Sequence, residues 1–380
     1  MDFALSQEHQ LIVRTVREFA EREIIPYAAG WDEQEFIPAS VFTSMGELGL
    51  FGLPFPEEYG GVDADSLAYA LAVEEVSRGS GSLGLSYAAH VSLGTSPFYR
   101  FGSEEQKRRW LIPCAQGDML SAFALTEPNA GSDAGATETT AVLEDDRWVI
   151  NGSKCFITNG SLADVVILTA VTERGKGHRG ISNLIVPTDS EGFRVGSSYH
   201  KLGLKGSDTV ELFFDDCSVP QENVLGTPGQ GFGQFLEILD GGRIGIAAMA
   251  VGIAQASLEA SLTYARQRVQ FGKPIGRFQA IQFKLADMAM EIEMARHATW
   301  RAAWLKDQGK PFTKEAAMAK LFASEVSVRA ALEAVQIHGG YGYTDEFPVG
   351  RYLRDAKLTT IGEGTSEILR LVIARRLQEM

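Results

Sequence analysis

The sequence predicts an α+β chain of more than one domain, helical at both ends with its strands gathered between. Three observations carry this. Apolar residues recur at helical spacing over residues 1–120, alternate at period two over 121–225, and return to long helical stripes over 226–380. Turn pairs such as Asp145-Asp146, Asn151-Gly152 and Asn159-Gly160 recur in the middle segment. Strands kept together and flanked by helices point to α+β layers rather than a doubly wound sheet.

In the first segment Ser6 is placed to cap a helix carrying Leu5, Ile12, Val16, Phe19 and Ile24. Leu67–Val76 is a second helix, and the Gly/Ser cluster Gly79–Gly84 reads as loop. In the middle segment Trp148 and Ile150, then Val210, Leu212 and Phe214, mark alternating strands. The runs 164–171 and 181–187 are apolar enough for buried ones. In the last segment Ile281, Leu285, Met288, Ile292 and Ala295 form one bundle seam. Leu321, Val328, Leu332 and Val335 form another, stopped by Gly339-Gly340. Thr365 is placed to cap a final helix with Ile368, Leu371 and Val372.

The 380 residues carry a net charge of −14, which argues against a nucleic-acid binder. The apolar run near 244–258 is interrupted by Gly and Gln and reads as a core helix, so no membrane span is expected. Cys114, Cys155 and Cys217 form no metal spacing and read as small buried hydrophobes. No histidine has a partner at metal-ligand spacing.

Several strings carry possible chemistry. Ser121–Ala136 (SAFALTEPNAGSDAGA) runs a short strand into a Gly- and hydroxyl-rich loop suited to a polar heteroaromatic or a phosphate, or simply to joining domains. Phe156-Ile157-Thr158 offers a ring to stack and a hydroxyl two residues on, or is an ordinary strand end. Gly226–Gly233 lacks the βαβ context of a dinucleotide fingerprint. Asp240-Gly241-Gly242-Arg243 reads as the opening of the most buried helix. Its acid and base either pair with each other or present a cation and a helix N-terminus to an anion. Arg268, Phe271 and Gln279 lie in a helix–loop–helix connection, and Gln336–Gly342 (QIHGGYG) ends a helix in a glycine turn. In Ile361–Glu367 (IGEGTSE), Glu363 projects between two glycines just before a helix cap.

Taken in order, these strings resemble the acyl-CoA dehydrogenase family over essentially the whole chain. The strongest are FALTEPNAGSDAGA, KLGLKGSDTVELFFDDC, RVQFGKPIGRFQAIQFKLADM, IHGGYGY and EGTSEILRLVIARR, with the short-chain and short branched-chain members most alike. The resemblance implies an N-terminal α-helical domain (1–120), a central β-barrel domain (121–225) and a C-terminal four-helix bundle (226–380). It implies non-covalent FAD and a homotetramer built as a dimer of dimers, passing electrons to an electron-transfer flavoprotein. The first residues carry no targeting pattern, and an initial Met followed by a family-like first helix points to a bacterial cytoplasmic protein rather than a processed mitochondrial one.

By the same resemblance, Phe123, Ala124, Leu125, Thr126 and Ser132 hold the flavin, and Phe156, Ile157 and Thr158 flank its ring. Arg268, Phe271, Gln279, Gln336, Ile337, Gly339 and Gly340 hold the adenine dinucleotide end in a neighbouring subunit. Thr365 and Glu367 also touch FAD. Ser132, Asp240, Arg243 and Gly364 line the thioester channel. Glu363 is the base that takes the α-proton of a short- or branched-chain acyl-CoA while hydride leaves the β-carbon for flavin N5, giving a trans-2-enoyl-CoA. The alternatives are an acyl-CoA oxidase using O2 and a non-catalytic flavin-binding relative. Two departures matter. Gly362 replaces a Tyr common in straight-chain members, which implies a wider pocket and tolerance of branching. Gly242 offers no acid at the position where isovaleryl-CoA dehydrogenases carry their base.

Overall fold

A computed structural model describes residues 4–378. The N-terminal part is helical from Gln7 to Gln116, including α1 (Gln7–Phe19), α2 (Ser66–Gly79) and α3 (Gly81–Ala88). Seven strands follow: β1 (Ser121–Ala124), β2 (Thr140–Glu144), β3 (Arg147–Thr158), β4 (Val165–Val171), β5 (Ile181–Pro187), β6 (Phe193–Ser198) and β7 (Thr209–Pro220). The chain then forms α4 (Gly231–Gln267), α5 (Gln279–Asp307), α6 (Thr313–His338), α7 (Val349–Thr359) and α8 (Ser366–Gln378).

Capping chemistry sets several helix ends where the sequence places them. Ser6 Oγ accepts the His9 N–H at 3.1 Å, and Thr365 Oγ1 accepts the Ile368 N–H at 3.3 Å. Helix α6 stops at Gly339, whose φ of +60° favours a residue without Cβ.

The strands make one half-barrel sheet in the order β1-β4-β2-β3-β7-β6, with β5 paired to β4. Strand β1 runs parallel to β4, Ser121 opposite Val165. Strand β4 is buried on both faces: Val165 and Ile167 belong to the core shared with the helices, Val166 and Leu168 to the sheet's own core. That explains its unbroken apolar run. The first and last helical segments share one continuous core, with Val16, Phe19 and Val73 in the same cluster as Ile253, Ile292 and Ile337.

Helix α4 is long and apolar enough to span a membrane, yet 83% of its most apolar window is buried inside the fold, which makes it the central core helix. All three cysteines are free and buried. His90 is fully buried and ties the helices to the sheet. One ring nitrogen bonds the Cys114 carbonyl and the other accepts the Ser121 N–H, both at 3.0 Å. Burial pushes its pKa down to about 4, so the ring is neutral near pH 7.

Four local expectations change. Gly79–Gly84 is not a loop: α2 runs through Gly79, Ser80 caps α3, and a Cβ on Gly84 would lie 2.0 Å from Ser77 Oγ. These glycines permit close helix packing. Asn151-Gly152 is not a turn but a register shift inside β3, between Ile150 and Gly152. Asp240–Arg243 does not open its helix, because α4 begins nine residues earlier at Gly231. Of the expected α6 stripe, Val328 and Val335 are half-buried against the core, but the fully buried face is not Leu321, Val328, Leu332 and Val335. It is a row of small residues that includes Ala316, Ala319, Ala323, Ser327, Ala330 and Ala334, which lets α6 lie close along α4. Leu332 is 55% exposed.

Candidate active site

The turn between α7 and α8 delivers Glu363. Gly362 N–H closes onto the Leu358 carbonyl at 2.9 Å and Ser366 N–H onto the Thr360 carbonyl at 3.1 Å. Glu363 itself takes φ +54°, uncommon for a residue with a side chain, and Gly364 follows at +102°. Of the two flanking glycines, Gly364 therefore serves a real backbone requirement. Both carboxylate oxygens are buried without a hydrogen-bond partner, and the Glu363 N–H donates to no group of the described chain. Burial raises the carboxyl to about 7, against the opposing pull of Lys320 and Arg243.

Two buried cations approach this carboxylate. Lys320, from α6, is fully buried and donates to the Gly364 carbonyl at 2.6 Å. Burial lowers its pKa to about 8. Arg243, one-third along α4, bonds Asp240 Oδ1 at 2.5 Å, and its Nε is buried with no partner. Asp240 also accepts the Thr313 hydroxyl at 2.5 Å. The expected Asp240–Arg243 pair thus exists, as a mid-helix wall rather than a helix N-terminus. Gly242, on the same helix, lines the carboxylate directly: a Cβ there would fall 2.3 Å from Glu363 Oε2 and 3.1 Å from Leu93 Cδ2. The absent acid at Gly242 and the acid at Glu363 occupy the same space.

The sheet supplies a flat, polar surface. A register shift between Lys154 and Ile157 leaves Phe156 at φ +57° and 62% exposed, stacked on Tyr199 with centroids 4.7 Å apart. Beside it, Cys155 N–H donates to the Thr126 carbonyl at 2.9 Å, so the Phe123–Thr126 segment and Phe156–Thr158 are held together. The hydroxyls of Thr126 and Thr158 bond nothing in the described chain. One exposed ring and two free hydroxyls fit a planar heteroaromatic cofactor.

Sequence reasoning missed what fixes this loop. Lys154 is buried and reaches Glu127 Oε1 at 2.7 Å and the Leu125 carbonyl at 3.1 Å. Glu127, also buried, accepts the N–H groups of Glu138 and Thr139 at 2.7 and 3.1 Å. Burial alone would raise its pKa; the Lys154 charge and these hydrogen bonds hold it low. Lys154 and Lys320 give no periodic or motif signal, because a lone lysine reads as a solvated surface residue. We expect Lys154→Met to strand the buried Glu127 charge and destabilise the fold by about 3–5 kcal/mol, measured as a lower urea midpoint. An unchanged midpoint would show that the pair does not hold this loop.

The remaining residues lie on a second surface. Arg268 and Ile337, Gly339 and Gly340 line an open pocket of about 530 Å³ with Tyr264, His338 and Tyr341. Phe271 is 92% exposed at φ +52°, and Gln279 and Gln336 are exposed. Ser132 and Glu367 are exposed, and Thr365 is half-buried. No hydrogen bond or ring contact joins Arg268, Phe271 or Gly339-Gly340 to Thr126, Phe156 or Glu363 among the described residues.

A half-barrel between helical segments, with a buried unpartnered carboxylate on a strained turn, defines an acyl-CoA dehydrogenase architecture, and comparison with known proteins gives the same class. Models of the acyl-CoA dehydrogenase N-terminal, middle and C-terminal domains match residues 6–118, 122–217 and 229–378. This chain belongs to the acyl-CoA dehydrogenase family, an FAD-dependent one. It is 60% identical to the probable acyl-CoA dehydrogenase YngJ of Bacillus subtilis (strain 168), over 99% of this chain and 100% of that one. It is 50% identical to the mitochondrial short-chain specific acyl-CoA dehydrogenase of Homo sapiens, over 98% and 90%. The solved butyryl-CoA dehydrogenase of Megasphaera elsdenii superposes with a TM-score of 0.98 at 45% identity, covering 100% of both chains.

Proposed function

We propose that this protein is an FAD-dependent dehydrogenase of short-chain acyl-CoA thioesters, with Glu363 as the base. The observation that carries this is the buried Glu363 carboxylate, both oxygens unpartnered, beside its own unspent N–H. A buried polar group left without a partner costs free energy, so such a group is kept for a ligand.

An α-proton of a thioester is weakly acidic, and its removal needs a placed base and a donor for the developing oxyanion. The Glu363 carboxylate serves as the base. Its N–H, on the left-handed turn and unpartnered, serves as the donor. Lys320 fixes this turn through the Gly364 carbonyl, and with Arg243 keeps burial from protonating Glu363 completely. The dry walls of Gly242 and Leu93 exclude water. Phe123–Thr126, Ser132 and Phe156–Thr158 hold the flavin, which when bound accepts the hydride from the β-carbon.

Arg268, Phe271, Gln279 and the Gln336–Gly340 turn, with Thr365 and Glu367 nearer the base, hold the rest of the FAD. In this reading the first group holds the FAD of a neighbouring subunit in a dimer of dimers, and the exposure of Phe271, Gln279 and Gln336 supports it. The exposed Phe283, Met290 and Met294 of α5 supply an apolar face for such an assembly. Electron-transfer flavoprotein as acceptor and a bacterial cytoplasmic setting complete the reading.

The test is a substrate panel. Purified holoenzyme without oxygen is mixed with butyryl-, isobutyryl-, isovaleryl-, 2-methylbutyryl- and octanoyl-CoA while flavin absorbance is followed. Rapid bleaching by butyryl-CoA is expected. Comparable bleaching by a branched substrate would reflect the open side of Gly362, where a Cβ would touch only Leu358 at 3.7–3.8 Å. Bleaching by none of the five refutes the proposal. Fast reoxidation by air, with electron-transfer flavoprotein ineffective, would instead make it an oxidase.

A further inference from the structure

We infer that Tyr69 ends the acyl channel and restricts this enzyme to short chains. The inference rests on the dehydrogenase reading of the site and adds to it a residue that sets substrate length.

The substrate's α-carbon must lie against the Glu363 carboxylate, hence against the Gly242 face of α4. Two directions lead away along that helix. Towards its start are Asp240 and Thr313, part-exposed and polar, which suit the thioester and its carrier. Towards its centre every residue from Gly242 to Ala254 is buried, so the acyl tail runs that way. The next position on the same face is Gly245, one turn or about 5 Å on. There a Cβ would meet Tyr69 Oη at 3.2 Å and Ala88 Cβ at 3.6 Å. The phenol therefore lies across the helix face one turn beyond the base. Its ring is also close enough to Glu363 for that charge, after burial itself, to oppose ionisation of the hydroxyl.

Tyr69 is not free to swing aside. It is 4% exposed, packs edge-on against Tyr87 with centroids 5.7 Å apart, and donates to the Ala88 carbonyl at 3.4 Å. Ser92 Oγ donates to the same carbonyl at 2.6 Å. That carbonyl lies where α3 gives way to a π-helical segment, Ala89–Thr95, an irregularity typical of functional sites. The same segment brings Leu93 against Gly242. One short stretch thus supplies both the side wall and the anchor of the end wall.

The test compares wild type with Tyr69→Phe and Tyr69→Ala. It measures kcat/KM for butyryl-, hexanoyl- and octanoyl-CoA and the Kd of the unreactive thioether S-octyl-CoA. Wild type is expected to turn over butyryl-CoA and to bind S-octyl-CoA poorly. Tyr69→Ala is expected to raise the octanoyl-to-butyryl ratio about tenfold or more, mainly through KM, and to tighten S-octyl-CoA. Tyr69→Phe removes only the hydroxyl and is expected to raise the hexanoyl-to-butyryl ratio alone. If Tyr69→Ala does not fold, the Tyr69→Phe ratio decides. Butyryl turnover with unchanged ratios in the folded variants overturns the inference and leaves the dehydrogenase reading standing. Wild-type inactivity on all three substrates overturns both.

Discussion

Glu363→Gln is expected to keep its flavin and lose dehydrogenation by about 10²–10⁴-fold or more, the usual contribution of a placed base. Gln fits the same space and leaves the turn intact. In the wild type the base must be ionised, so kcat/KM should fall as pH drops through about 7. The same substitution should change stability in a pH-dependent way. A carboxyl raised from 4.5 unfolded to about 7 folded binds more protons in the folded state, so its cost is absent below 4.5, grows with pH and is full above 7. Glu363→Gln should therefore be more stable than wild type at pH 8 by up to roughly 3 kcal/mol, and similar to it at pH 4. Urea melts at the two pH values measure this. A stability gap that does not grow with pH would mean the carboxylate is better solvated than its burial implies.

Gly242→Val is expected to lower kcat/KM for butyryl-CoA by about 100-fold or more while leaving the fold intact. The added Cβ would sit 2.3 Å from Glu363 Oε2, the mobile end of a side chain, so the carboxylate gives way rather than the backbone. Displacing a base by about 1 Å is enough to cost that much. The effect should fall on kcat, and circular dichroism and flavin content should be unchanged. Wild-type turnover in Gly242→Val would show that Glu363 acts from another position.

Much of this site was legible because its signals are local. Ser6, Thr365 and Gly339 mark helix ends through their own backbone chemistry, and Glu363 between glycines marks a turn, in which the structure adds positive φ at Glu363 and Gly364. The misread segments depend on what lies across the fold. Gly79–Gly84 has loop composition but is helical, because small residues let the neighbouring helices approach closely. The buried row of α6 escaped notice because Ala and Ser carry little hydrophobic signal, while the larger Leu332 points outward. Lys154, Lys320 and Tyr69 gain their roles only from residues that the fold brings to them: Glu127, 27 positions from Lys154, Gly364, 44 positions from Lys320, and the Gly245 face of α4 beside Tyr69.

The most direct test of Glu363 as the base is solvent exchange at the α-carbon. Holoenzyme is incubated with butyryl-CoA in D2O without an electron acceptor, and deuterium at C2 is followed by NMR. Wild type should exchange the C2 protons at a rate that falls below pH 7, and flavin-replete Glu363→Gln should not exchange them. Exchange at the wild-type rate in Glu363→Gln would contradict the assignment and place the base elsewhere.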